Sequence, residues 1–427
     1  MRPGVFAQGS FHGTLRVPGD KSISHRALIL AAVAPGTSHI SGANRGGDVL
    51  ATLDAVRQLG ALVDDEDGTL TVHGGRLRDP ATRIDARNSG TTARLLMGLC
   101  AGGRITASFD GDESLRRRPM ERVAQPLRAL GASVETTGGH LPATVRGTTE
   151  PKGGAFTLEL PSAQVKSALL LANLSAREPA RIGGDAYSRD HTERMLRRFG
   201  RDVIWDGSTV TLYPGTLEAA DIRIPGDLSA AAFFIVAALV TPNSEVVVSH
   251  VGVNPTRTGL LDVLRAMRAD VSLENERSDS DEPVADIRVR SSPLRAIDIS
   301  GSLVVRAIDE VPVLAVAAAF CRGTTRIRGA SELRTKESDR IAALASSLRA
   351  CHIAVMEYPD GLDIVGGQPK PPATPLQTFG DHRVAMAIAV LAAAAGPMAV
   401  DDTSCIDISF PGFVDLWQRH QQTLPVA

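Results

Sequence analysis

Val56-Arg57-Gln58-Leu59-Gly60-Ala61-Leu62-Val63 is the stretch from which the fold is read. It holds the tail of an amphipathic helix, a glycine that stops it, and an apolar run entering a strand. The phrase returns as Leu127-Arg128-Ala129-Leu130-Gly131-Ala132-Ser133-Val134 and as Leu196-Arg197-Arg198-Phe199-Gly200-Arg201-Asp202-Val203. Weaker copies occupy 264–271 and 348–355, with Arg268 and His352 in the glycine's place. Turn pairs such as Gly68-Thr69, followed by Leu70-Thr71-Val72-His73, predict a hairpin closing each unit.

Upstream of the phrases, six loops rich in Ser, Gly and charge each open an Ala/Leu-rich helix: 19–30, 88–99, 162–174, 226–239, 308–320 and 380–391. The period of about 70 residues is too long for a solenoid, so six α/β units forming globular domains are expected. Six units divide into two domains of three, with Pro225-Gly226 as a hinge. The acidic run 278–286 is expected to be a solvated hairpin tip, and the proline-rich 370–375 a stiff connector.

The 427 residues carry 46 Lys+Arg against 48 Asp+Glu, and this balance excludes a whole-chain basic footprint for nucleic acid. The longest apolar runs, 230–240 and 384–395, fall short of the ~18 residues a membrane span needs and read as buried helices. No secretory signal is expected from the opening Met1–Phe6, which lacks a long apolar stretch. Cys100, Cys321, Cys351 and Cys405 are widely spaced, without metal-ligand or disulfide patterning, so a reduced cytoplasmic protein is expected.

The helix openings have the composition of anion sites. A helix N-terminus presents unpaired N–H groups and about half a positive charge. Gly19-Asp20-Lys21-Ser22-Ile23-Ser24-His25-Arg26 adds two cations there, Asn88-Ser89-Gly90-Thr91-Thr92-Ala93-Arg94 two hydroxyls and an arginine, and Ser162-Ala163-Gln164-Val165-Lys166 an amide and a lysine. Ordinary capping explains any one opening; it requires no cation, so it explains several less well. Neither GxxxxGK[ST] nor a GxGxxG after a strand occurs, so a small phosphorylated metabolite is expected rather than a nucleotide.

Further charge lies in loops. Arg118-Pro119 fixes an extended arginine. Within Leu333-Arg334-Thr335-Lys336-Glu337-Ser338-Asp339-Arg340, the i, i+4 spacing places Lys336 and Arg340 on one helical face. Asp381-His382-Arg383 and Asp309-Glu310 open apolar helices, and taken singly Asp309 and Asp381 are N-caps. Asp190 is expected to cap the helix after it, with Arg189 turned toward a ligand.

In combination these stretches, with Arg189-Asp190-His191-Thr192-Glu193 and Ser409-Phe410-Pro411, resemble the enolpyruvyl transferase family, in family order from residue 17 to 413. The resemblance is to members that use shikimate 3-phosphate. It implies an α/β fold of two domains, each of three βαβαββ units, with a cleft between them that closes over the substrates. One domain spans 20–225 and the other 1–19 plus 226–427. The implied reaction moves the carboxyvinyl group of phosphoenolpyruvate to the 5-hydroxyl of shikimate 3-phosphate, in chorismate and aromatic amino acid biosynthesis. No cofactor, metal, nucleic acid or membrane partner is expected, and the chain is expected to be a cytoplasmic monomer and a target of glyphosate.

The resemblance assigns Lys21, Ser22, Arg26, Ser162, Ala163, Gln164, Ser188, Arg189, Asp309 and Lys336 to shikimate 3-phosphate. It assigns Lys21, Gly90, Arg118, Gln164, Glu337, Arg340, His382 and Arg383 to phosphoenolpyruvate. Asp309 is the candidate base for the hydroxyl. Glu337 is the candidate acid toward the methylene carbon, with Lys21 the alternative. Glu332 and Ile408 stand where some members carry Asn and Lys.

Overall fold

In the computed structural model, which describes residues 1–159, 161–185 and 187–423, every copy of the repeated phrase leaves its helix through left-handed backbone. φ is +107° at Gly60, +111° at Gly131 and +80° at Gly200, and the copies without glycine keep the turn, at +64° for Arg268 and +65° for His352. Glycine adopts this conformation without steric cost; arginine and histidine do not. The phrase therefore encodes a helix stop that the fold imposes even where the residue resists it.

Four four-stranded sheets share one plan. In 84–146, strand Ile84–Asp85 pairs parallel to Thr106–Asp110, which pairs antiparallel to the hairpin strand His140–Arg146. The sheets built on Gly154–Leu158 and on Asp298–Ile299 repeat it. In the first unit the leading strand, Ile222–Arg223, comes from far along the chain and pairs parallel to Gly36–Ser41. A fifth sheet follows the same order with Gly9–Leu15 as its leading strand. The sixth unit is shortened: Met398–Val400 pairs with Gly4–Phe6.

The chain forms two compact units, Gly19–Ile224 with Asp279–Glu282, and Met1–Pro18 with Pro225–Ser278 and Pro283–Ala427. Each buries three apolar helices. In the first, Lys21–Val33, Gly90–Ala101 and Ala163–Ala172 are the core. Two of them touch through backbone, since a Cβ at Gly98 would lie 2.3 Å from the carbonyl oxygen of Ala168. Only glycine permits that approach, and it brings both helix starts together. In the second, Leu228–Val240, Val311–Ala319 and His382–Ala395 are buried. There the sparse aromatics gather: Phe11 meets Trp417 edge to face with ring centres 4.5 Å apart, beside Phe234, Phe410 and Phe413.

The 278–286 run is a hairpin tip as expected, with Ser278 and Asp281 exposed, but it is only partly solvated. Strands Asp270–Asp279 and Glu282–Arg290 form a hairpin, but its end packs as part of the 19–224 unit. Glu282 is buried with its carboxylate 2.7 Å from His191 Nδ1, and Ser280 Oγ accepts from the backbone N–H of Arg223. A buried carboxylate needs such a partner, and composition alone does not disclose one.

All four cysteines are free thiols in the core, and burial pushes Cys100 and Cys405 up to about 12. Among the described residues no helix is long and apolar enough to cross a membrane, and no group of three His, Cys, Asp or Glu could hold a metal ion.

Candidate active site

In the 19–224 unit the three buried helices begin beside one another, each with a side-chain cap. Asp20 Oδ1 accepts from the N–H of Ile23 at 2.9 Å, Ser89 Oγ from Thr92 at 3.1 Å and Ser162 Oγ from Val165 at 3.4 Å. A cap satisfies one donor of the first turn and leaves that end of the helix positive. Arg94 Nη1 donates to Gln164 Oε1 at 2.7 Å and Gln164 Nε2 to Thr91 Oγ1 at 3.0 Å, which ties the Gly90 and Ala163 helix starts. Lys21, first residue of its helix, donates to Asp48 Oδ2 at 2.8 Å, and the Asp48 carbonyl accepts from Thr92 Oγ1 at 3.3 Å.

Behind this floor a buried chain runs from His25 Nδ1 to Thr52 Oγ1, on to Thr92 Oγ1 and then to Ser89 Oγ, each step 2.7 Å. Burial lowers the His25 pKa to about 3, outweighing the attraction of Asp48, so its imidazole is neutral at physiological pH.

The cations expected here are held in place. Arg118 donates to the carbonyl and side-chain oxygens of Asn88, at 3.2 and 2.6 Å, two residues before Gly90. Arg26 is buried and donates to Thr192 Oγ1, the Ser22 carbonyl and Ser167 Oγ; burial pulls its pKa down to about 10, and it stays charged. Buried Lys166 pairs with Glu193 at 2.7 Å and reaches the carbonyl of Ser188. Ser22, Ser162, Ala163, Ser188 and Arg189 are half-buried. Asp190 does not cap with its side chain as expected. It stands at the cap position of His191–Arg198, but its carboxylate takes Arg194 Nε at 2.9 Å, a stronger charged partner than a backbone amide.

In the other unit, Asp309, Lys336, Glu337, Arg340, His382 and Arg383 form a second cluster. Arg340 is 1% exposed and grips Asp381 through Nε (2.8 Å) and Nη2 (3.1 Å), while Nη2 also reaches Glu337 Oε2 at 2.6 Å. Burial opposes both charges of the Arg340–Asp381 pair, yet the pairing prevails: Asp381 lies below the usual carboxylate range and Arg340 above its ordinary value. Asp381 also caps the His382 helix, accepting from the N–H of Arg383 at 2.9 Å. Arg383 Nη1 holds the Asp309 carbonyl at 2.7 Å.

Around the Asp309 carboxylate stand three guanidiniums, from Arg340 at 3.8 Å and from Arg383 and Arg257 at 3.9 Å. These three arginines meet five carboxylates: Asp227, Asp309, Glu310, Glu337 and Asp381. The cationic clamp expected around Arg340 and Arg383 is therefore already engaged by carboxylates of its own unit.

Two expectations fail here. Lys336 and Arg340 do not share a helical face, because the 3₁₀ turn Ser331–Thr335 ends before Lys336 and Asp339 caps a new helix, Arg340–Ala350. Lys336 instead pairs with Glu332 at 2.7 Å. Asp309 is not an N-cap; Glu310 holds that position in front of Val311–Ala319 and makes no side-chain cap bond. Arg257 and Asp48 were missed as members of these clusters, and Glu310 was noted only as Asp309's neighbour. Arg257 lies in the turn sequence Asn254-Pro255-Thr256-Arg257-Thr258-Gly259, which reads as a loop before a helix and nothing more.

The same fold occurs in the enolpyruvyl transferase NikO from Streptomyces tendae, which superposes with a TM-score of 0.78 over 99% of both chains at 18% identity. That likeness shows the fold the two chains share. The finer match is to the family described as EPSP synthase (3-phosphoshikimate 1-carboxyvinyltransferase), whose sequence pattern covers residues 5–417. EPSP synthase from Acinetobacter baumannii is 40% identical, with a TM-score of 0.87 over 99% of both chains. A protein of Geobacter metallireducens named 3-phosphoshikimate 1-carboxyvinyltransferase is 47% identical over 95% of this chain and 96% of its own. The chain belongs to the EPSP synthase family and is a transferase.

Proposed function

We propose that the chain transfers the carboxyvinyl group of phosphoenolpyruvate to the 5-hydroxyl of shikimate 3-phosphate and releases phosphate. The observation that carries this reading is the floor of the 19–224 unit: three capped helix starts linked through Arg94, Gln164, Thr91 and Asp48, with Lys21 and Arg118 beside them. Such a floor offers backbone N–H groups and fixed cations to a phosphorylated, carboxylated ligand.

In this reading Lys21, Ser22, Arg26, Ser162, Ala163, Gln164, Ser188 and Arg189 hold shikimate 3-phosphate, with Asp309 and Lys336 toward its ring. Lys21, the Gly90 backbone, Arg118, Gln164, Arg340, His382 and Arg383 hold phosphoenolpyruvate. Asp309 takes the proton of the 5-hydroxyl as its oxygen bonds to the central carbon of phosphoenolpyruvate. Glu337, or Lys21 in its stead, protonates the methylene carbon and gives a tetrahedral adduct. Phosphate then leaves with its bonding electrons, and a proton lost from the new methyl group restores the double bond.

The engaged state of Arg340 suits this sequence. A phosphate or carboxylate that takes a hydrogen bond from Arg340 competes with Glu337, and a Glu337 relieved of its guanidinium holds a proton more readily. Proton transfers and bond changes between the two substrates call for no cofactor, and the proposal further takes the enzyme to be monomeric and cytoplasmic. Phosphate release on mixing protein with both substrates tests it. Release that requires both is expected; release without shikimate 3-phosphate rejects it.

A further inference from the structure

We propose that Arg257 is a positioning residue for this reaction, fixing the Asp309 carboxylate in the turn before the Val311 helix. The proposal rests on the assignment of Asp309 as the base and adds a residue to which neither the motifs nor the family resemblance gives a role.

Arg257 has the anchorage such a role requires. Its turn is locked from below: Asn254 Oδ1 accepts from the N–H and the hydroxyl of Thr256, and the Asn254 carbonyl accepts from the N–H of Arg257 at 2.8 Å. The helix that follows, Gly259–Ala266, lies against the chain leading to Asp309, since a Cβ at Gly259 would fall 2.7 Å from the carbonyl carbon of Arg306. Arg306 closes the same contact, donating to the Pro255 carbonyl at 3.3 Å and to Asp262 at 2.6 Å. The turn that carries Arg257 and the segment that carries Asp309 thus move as one piece.

The guanidinium itself is 4% exposed and spans three elements. Nη2 donates to Ser229 Oγ at 2.8 Å and to Asp227 Oδ1 at 3.2 Å, both at the start of the Leu228 helix. Ser229 passes its own hydroxyl proton on to Glu310 Oε1, and Arg257 Nη2 stands 3.7 Å from that atom. Nη1 faces Asp309 Oδ2 at 3.9 Å. Arg340 and Arg383 also face Asp309, but both are assigned to phosphoenolpyruvate and so exchange partners during turnover. Arg257 is braced on Asp227 and Ser229 and remains a fixed cation as they do so. The other charges at Asp309 are Glu310 on its own segment, Asp227 on the Leu228 helix, Glu337 and Asp381 across Arg340, and His382 beside Asp381.

The test compares Arg257→Gln, Arg257→Lys and Asp309→Asn with the unmodified protein, measuring kcat and KM for each substrate from pH 5 to 9. Removing one of three cations around a carboxylate raises its proton affinity by about one pH unit. Arg257→Gln is therefore expected to move the acidic limb of kcat upward by about one unit and, because the carboxylate loses its fixed brace, to lower the plateau kcat about tenfold, with both KM values within a few-fold. Arg257→Lys is expected to keep the limb in place, because the charge stays, while losing rate because a single ammonium cannot hold Ser229, Asp227 and Asp309 together. An unmoved limb in Arg257→Gln overturns the proposal and leaves Arg257 a structural brace. If that variant does not fold, an Arg257→Lys protein with unchanged kcat overturns it equally. Asp309→Asn separates the two levels: if it turns over normally, the base assignment itself fails and this proposal with it.

Discussion

Replacing His25 by Asn should flatten the acid side of the protein's stability curve. His25 is fully buried, and its Nδ1 shares a 2.7 Å hydrogen bond with Thr52. Burial lowers its pKa from 6.5 to about 3 in the folded state, while in the unfolded chain it titrates normally. Between those values the unfolded state binds a proton that the folded state refuses, so stability is full above pH 6.5 and is lost as pH falls. Each unit is worth about 1.4 kcal/mol, so at pH 4.5, two units below 6.5, His25 alone costs about 3 kcal/mol. Asparagine keeps a partner for Thr52 and does not titrate. Urea unfolding at pH 7.5, 6.0 and 4.5 should show the unmodified protein losing about 2–3 kcal/mol more than His25→Asn over that range; the carboxylates, common to both, cancel. Parallel curves would mean that the imidazole is hydrated or charged in the fold, and the dry chain from His25 to the Ser89 cap would be wrong.

The Gly90 position offers a second test. An added methyl would lie 2.6 Å from Arg94 Nη1, the atom that donates to Gln164. Gly90→Ala should displace that charged hydrogen bond, raise KM for phosphoenolpyruvate roughly 10-fold or more, and relieve inhibition by glyphosate; titrations matching the unmodified protein would remove Gly90 from the site. The repeated helix stop predicts opposite signs at equivalent positions. Gly131→Ala should lower stability by about 1–2 kcal/mol, and His352→Gly should raise it by about 0.5–1, both read by urea midpoint. Asp381→Asn, which takes from buried Arg340 the carboxylate that accepts two of its hydrogen bonds and leaves it Glu337, should cost about 3 kcal/mol and so unfold the protein at a lower urea concentration. A loss below 1 kcal/mol would mean that Arg340 relaxes to solvent.

The repeat was legible because a helix stop followed by a strand is local: Gly60, Gly131 and Gly200 announce it, and Arg268 and His352 follow by position alone. The six helix openings were legible for a similar reason, since five of the six buried helices start with a side-chain cap from Asp or Ser. What stayed hidden is long-range pairing. Glu282 finds His191 ninety-one residues away, whereas Asp190 misled for a local reason, since Arg194 one helical turn on takes its carboxylate. The i, i+4 spacing of Lys336 and Arg340 misled because Asp339 restarts the helix between them. Arg257 had no signal of its own; its role comes from the close packing of the Gly259 helix on Arg306.

The proposed reaction adds a hydroxyl across the double bond of phosphoenolpyruvate and then loses phosphate. Running the reaction in deuterium oxide and following it by proton and phosphorus NMR tests this most directly. Protonation of the methylene carbon by a solvent-exchanged acid, then loss of one methyl proton, predicts deuterium in the vinyl group of the product and one inorganic phosphate per product formed. A vinyl group that keeps both original protons, or phosphate appearing with no new vinyl signal, would contradict it.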